Sequence, residues 1–85
     1  MKFQVEFSSQ ATKFLKKCDL TLTKRLIERI ETLSEDPFPT DVKRIVNRAE
    51  KIFRVRVGDY RIQYSFFYEK TLVFISGVDK RPRAY

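Results

Sequence analysis

Arg54, Arg56 and Arg61 stand in the run IFRVRVGDYRIQY, residues 52–64, at spacings that place them together on one face of a β-hairpin. Gly58-Asp59 separates two alternating runs, and a glycine there supplies the positive φ of a primed two-residue turn. The turn sets the register: Val57 faces Tyr60, Arg56 faces Arg61, Val55 faces Ile62, Arg54 faces Gln63 and Phe53 faces Tyr64. One face is then apolar, and the other carries three guanidiniums. Like charges directly across a strand pair destabilise an isolated fold, and an anion between them relieves that repulsion. Guanidinium forks match phosphate oxygens, so phosphate is the anion this pattern suits. A merely solvated sheet face is the plainer alternative.

The rest of the inventory narrows the chemistry. With no histidine and one cysteine, the chain offers no ordinary zinc site, no Ser-His-Asp triad and no Cys-His pair. Its two glycines, Gly58 and Gly77, make neither a P-loop nor a dinucleotide fingerprint. No cofactor and no metal are expected. Arginine, lysine and tyrosine remain, and such a cluster is enough to cleave RNA, whose own 2′-hydroxyl is the nucleophile. The protein has only to hold that hydroxyl in line with the leaving oxygen and stabilise charge growing on the phosphate. DNA lacks the hydroxyl and would be spared.

The elements that must carry this face follow from periodicity. Residues 2–7 alternate, with Phe3, Val5 and Phe7 on one side, as in a half-buried strand. Ser8 or Ser9 suits a helix cap, and Ala11, Phe14, Leu15 and Cys18 follow at helical spacing. Cys18 reads as a small core residue, since no histidine is present to activate it. Asp19 or Thr21 restarts the helix, and Leu22, Leu26, Ile30 and Leu33 form the stripe of a second one. The basic residues outside these stripes read as solvated surface. Ser34 to Pro39 ends the pair, because proline cannot continue a helix. Residues 40–50 are poorly legible, with Val42, Ile45 and Val46 suggesting a short packed element beside the arginine face. Leu72 to Val78 alternates again after a turn at Glu69-Lys70, which places Phe66 opposite Val73 and Tyr64 opposite Ile75. Phe67, Ser65, Leu72 and Phe74 then fall on the arginine side, an apolar end suited to a partner. The order β-α-α-β-β-β describes an α+β fold, an N-terminal strand and a two-helix hairpin packed on one face of an antiparallel β-sheet.

At 85 residues the chain is one domain, residues 1–85, with eight phenylalanines for its core. A single cysteine allows no internal disulfide, and no run is apolar enough to span a membrane or act as a signal peptide. A soluble cytoplasmic protein is expected. The net charge of +7 lies entirely in the second half: residues 1–42 carry seven bases and seven acids, residues 43–85 eleven bases and four acids. That asymmetry is the footprint of a polyanionic partner, nucleic acid or acidic protein.

The helix pair, the hairpin IFRVRVGDYRIQY and the terminal FISGVDKRPRAY together resemble the RelE branch of the RelE/ParE toxin superfamily across essentially the whole chain. The resemblance implies the toxin of a type II toxin-antitoxin system, a ribosome-dependent mRNA endonuclease that cuts in the A site and inhibits translation. It implies catalytic roles for Arg54 and Arg56 in binding phosphate and assisting deprotonation of the 2′-hydroxyl. Arg61 would stabilise the transition state, Arg81 assist the leaving group and Tyr85 orient or stack on the substrate. Lys43, Arg44, Arg48, Lys51, Gln63, Lys80 and Arg83 would hold RNA around them. The implied partners are a small acidic RelB-like antitoxin, in a heterotetramer, together with the ribosome and mRNA. Both 54 and 56 are arginine where lysine is familiar, and arginine is a poor proton acceptor. The proton therefore falls to Tyr85, to a ribosomal group, or to catalysis by electrostatics alone. Two alternatives have different tests: a ParE-like protein that binds DNA gyrase without catalysis, and an RNA- or ribosome-binding module that leaves RNA intact.

Overall fold

A computed structural model describes residues 3–38, 43–45 and 52–80. Its elements are β1 (Gln4–Phe7), α1 (Ser9–Lys17), α2 (Leu20–Glu35), β2 (Lys43–Ile45), β3 (Ile52–Val57), β4 (Tyr60–Phe67), a short 3-10 turn (Tyr68–Lys70) and β5 (Leu72–Lys80). Both helices start as their sequences direct. Ser8 Oγ accepts from Ala11 N at 3.1 Å and Asp19 Oδ1 from Leu22 N at 2.8 Å, each taking up a backbone donor that the first turn leaves unpaired. Leu26, Ile30 and Leu33 of α2 are buried against Val55, Ile62, Tyr64, Val73, Ile75 and Val78 of the sheet, with Ala11 of α1 beside them. Each such aliphatic side chain removed from water contributes roughly 1.5–3 kcal/mol. Cys18 packs at the margin of this core, where its thiol donates to Phe14 O at 3.1 Å. Burial, and secondarily the charge of Asp19, push the Cys18 thiol above its ordinary pKa. It is a packing residue, held protonated.

The β-α-α-β-β-β order expected from sequence is the observed one, and the helix pair covers one face of the sheet. The sheet has strand order β1-β5-β4-β3-β2. β3, β4 and β5 are antiparallel neighbours, but β1 runs parallel to β5, with Val5 beside Val73 and Phe7 beside Ile75. The sheet is therefore mixed, where an antiparallel one was expected. Alternation reveals a strand but not its neighbour, and a parallel partner can come from far along the chain. Residues 43–45, within the illegible stretch, form the short edge strand β2 against Ile52–Arg54.

One irregularity matters for the functional face. The β4–β5 register shifts between Gln63 and Tyr64, so that Gln63 pairs with Gly77 while Tyr64 pairs with Ile75. The extra residue is Ser76, and a strand with an extra residue turns its following side chains over. Val78, which strict alternation assigns to the arginine side, is consequently in the core at 1% exposure. Asp79 takes the arginine side instead.

At the far end of α2, Asp36 Oδ1 accepts from Phe38 N at 3.0 Å and turns the chain back over the sheet. Phe38 then packs edge-on against Phe53 and Phe66, at centroid distances of 5.2 and 5.4 Å. The buried Tyr64 hydroxyl donates to Pro37 O, pinning the same turn. Among the described residues no helix is long and apolar enough to cross a membrane.

Candidate functional site

β3 and β4 build the site through their turn. Gly58 has φ +59°, at the first central position, where a type II′ turn requires glycine. The register that follows is the one read from sequence: Val57 with Tyr60, Arg56 with Arg61, Val55 with Ile62, Arg54 with Gln63, Phe53 with Tyr64. Val55 and Ile62 are buried, which commits Arg54, Arg56, Arg61 and Gln63 to the face away from the helices. Arg54 and Gln63 are half-buried and Arg56 is exposed.

Arg61 is held by a carboxylate that the sequence reading passed over. Its Nε donates to Asp79 Oδ1 at 3.0 Å and its Nη2 to Asp79 Oδ2 at 2.8 Å. A two-point contact of this kind fixes the plane of the guanidinium as well as its position. Asp79 reaches Arg61 only because of the bulge at Ser76, so strict alternation gave no signal for it. Among the described residues of this face, one carboxylate stands beside three arginines.

The other residues singled out from sequence distribute unevenly. In the backbone register of β2 and β3, Lys43 pairs with Arg54 and Arg44 with Phe53. Lys80 is exposed and pairs with Tyr60, one residue beyond the Asp79–Arg61 pair. Arg48, Lys51, Arg81, Arg83 and Tyr85 lie outside the described residues. At the other end of the same face Phe67 is 45% exposed and Phe74 half-buried, while Leu72, expected to be exposed with them, is buried at 8%.

Comparison with known proteins gives a consistent set of likenesses. Residues 5–85 match the family model described as the ParE toxin of type II toxin-antitoxin systems, parDE. The whole chain is 34% identical to a protein named RelE1 from Methanocaldococcus jannaschii, over 97% of that relative. In structure it is similar to the archaeal RelE-RelB complex from Pyrococcus horikoshii, with TM-score 0.84 and 27% identity, covering 99% of this chain and all of that one. It is likewise similar to the toxin-antitoxin complex RelBE2 from Mycobacterium tuberculosis, with TM-score 0.82 and 28% identity over 95% of this chain and all of that one.

Proposed function

The chain matches the ParE toxin family of type II toxin-antitoxin systems and belongs to the RelE branch of the RelE/ParE superfamily, and from that premise we propose that it cleaves messenger RNA in the ribosomal A site. The observation that carries this reading is the cross-strand placement of Arg56 opposite Arg61, with Arg54 and Gln63 in the next row, on a face the core leaves open. In the proposed reaction the 2′-oxygen attacks the adjacent phosphorus, the bond from phosphorus to the 5′-oxygen breaks, and a 2′,3′-cyclic phosphate and a 5′-hydroxyl result. The proton leaving the 2′-hydroxyl is balanced by the one gained at the 5′-oxygen, so no water is consumed.

Arg54 and Arg56 clamp the phosphate, and Arg61, oriented by Asp79, meets the charge that develops on its equatorial oxygens. Arg81 assists the leaving oxygen and Tyr85 orients or stacks on the substrate. With arginine at 54 and 56, positioning and electrostatics carry most of the acceleration. The partner that silences the toxin is an acidic antitoxin, whose charge offsets the excess of +7 and whose apolar residues cover the Phe67 end. The RelE-RelB complexes among its structural relatives support such a partner.

Primer extension on translating ribosomes tests the reading. Wild-type protein should cut within the A-site codon, leave naked mRNA intact, and lose cleavage with Arg61→Ala. Intact message at saturating protein sinks the nuclease. The family description as a ParE toxin favours one second reading, gyrase inhibition. A supercoiling assay in which Arg54→Ala and Arg61→Ala inhibit as well as wild type would establish it instead.

A further inference from the structure

The bulge in β5 does more than turn Asp79 toward Arg61. Beside it lies a polar cleft of about 340 Å³, lined by Gln10, Gln63, Ser76, Gly77, Val78 and Asp79. Gln63 and Gly77 are register partners across β4 and β5. A Cβ on Gly77 would stand 3.3 Å from Gln10 Oε1 and 3.9 Å from Gln63 Oε1, so two carboxamides close over backbone that carries no side chain. Gly77 does not have a positive φ. The glycine therefore supplies room rather than an unusual backbone angle.

The polar groups around that room are unequally spent. Gln10 commits both ends of its carboxamide to Val78. Each oxygen of Asp79 accepts once from Arg61, and a carboxylate has about four acceptor sites, which leaves about two of them. Gln63 is half-buried, and among the described residues its side chain has no hydrogen-bond partner. Ser76 Oγ is likewise buried and unpaired among them, where folded proteins satisfy most such groups. Unused hydrogen-bonding capacity thus collects in one cleft on the arginine side of the sheet.

A carboxamide sets a donor beside an acceptor, the complement of a base edge that does the same. Asp79 can only accept. It favours the exocyclic amino group of adenine or cytosine and opposes the carbonyl oxygen that uracil and guanine carry in its place. Gln63 follows Arg61 by two residues on β4, about 7 Å along the same face, so a phosphate at Arg61 and a base at Gln63 can belong to one nucleotide. We propose that the cleft is a nucleobase subsite, in which Gln63 pairs with the base edge and Asp79 selects adenine or cytosine over uracil. It rests on the nuclease reading for the phosphate that delivers the base, and adds to that reading a choice among bases.

Fluorescence anisotropy with short 2′-O-methylated oligomers of adenine, cytosine or uracil, which lack the attacking hydroxyl, tests it at one salt concentration. Wild-type protein should hold the adenine and cytosine oligomers about tenfold more tightly than the uracil one, within the range of a paired base contact. Gln63→Leu, similar in size and without the carboxamide, should bring adenine and cytosine down to the uracil level. Asp79→Ala should narrow the gap from the other side, by raising uracil. Thr21→Ala, exposed on α2, should keep the full preference. Equal wild-type affinities overturn the subsite, as does a preference that survives Gln63→Leu. In the wild-type protein, the Gln63 side-chain amide resonances should move when the adenine oligomer is added and hold still with uracil; resonances that ignore both overturn it too. Ribosomal cleavage is read separately. Cleavage without any base preference in binding removes the subsite alone, and a Gln63-dependent preference in a protein that cuts nothing supports the subsite and removes the nuclease.

Discussion

Arg61 and Asp79 set the residue-scale question, because the same arginine is both anchored and assigned to the transition state. Asp79 is 46% exposed, so the pair adds at most about 1 kcal/mol to stability. Its larger effect is geometric. Two contacts at 2.8 and 3.0 Å hold the fork in one plane before substrate arrives, and misplacing a catalytic group by about 1 Å can cost ~100-fold in rate. Asp79→Ala should lower the melting temperature by no more than about 4–8 °C, preserve RNA binding, since it removes a negative charge, and reduce A-site cleavage tenfold or more. Equal cleavage by the variant, measured as single-turnover rate on stalled ribosomes, would show that Arg61 needs no carboxylate to orient it.

Among the elements, β5 does the most to place the site, and its irregularity has a visible support. β1 ends beside Ile75, and from there two side chains take over the exposed edge of β5. Ser8 Oγ donates to Ser76 O at 2.8 Å. The Gln10 amide donates to Val78 O at 2.8 Å and accepts from Val78 N at 2.9 Å, pairing with the strand as a backbone would. Gln10→Ala should lose about 1–2 kcal/mol, from two bonds worth about 1 kcal/mol each. For a domain of this size that lowers the melting temperature by about 4–8 °C for each kcal/mol. It should also expose the Val78 amide to hydrogen exchange, and unchanged protection there would deny Gln10 its role at the edge. The bulge marks the limit of sequence reasoning as well. Gly58 announced the hairpin, buried Val55 and Ile62 fixed its faces, and the stripes of α1 and α2 were plain in Ala11, Leu26, Ile30 and Leu33. These are local, periodic signals. The parallel pairing of β1 and the extra residue at Ser76 depend on contacts between distant segments, which periodicity does not encode. Asp79 was hidden for that reason, since only the bulge turns it toward Arg61.

On the scale of the whole molecule, the excess charge and the reaction make separable demands. The basic half of the chain attracts any polyanion, so binding to naked RNA should weaken steeply as salt rises from about 50 to 200 mM, with DNA of the same sequence behaving similarly. Cleavage asks for more than charge. In the proposed reaction the nucleophile belongs to the substrate, so replacing the single 2′-hydroxyl beside the scissile phosphate by hydrogen should abolish the A-site cut. The other phosphates remain, so affinity should be unaltered. A ribosome programmed with such a message, compared with its all-RNA counterpart, reads the two properties apart. Resistance to cutting with undiminished binding ties catalysis to the 2′-oxygen held before the arginine row. Cleavage of the deoxy-substituted message at the same bond would require an external nucleophile. With no histidine in the chain and arginine at 54 and 56, neither an ordinary general base nor a lysine stands at those positions to activate one, and the mechanism would have to be abandoned.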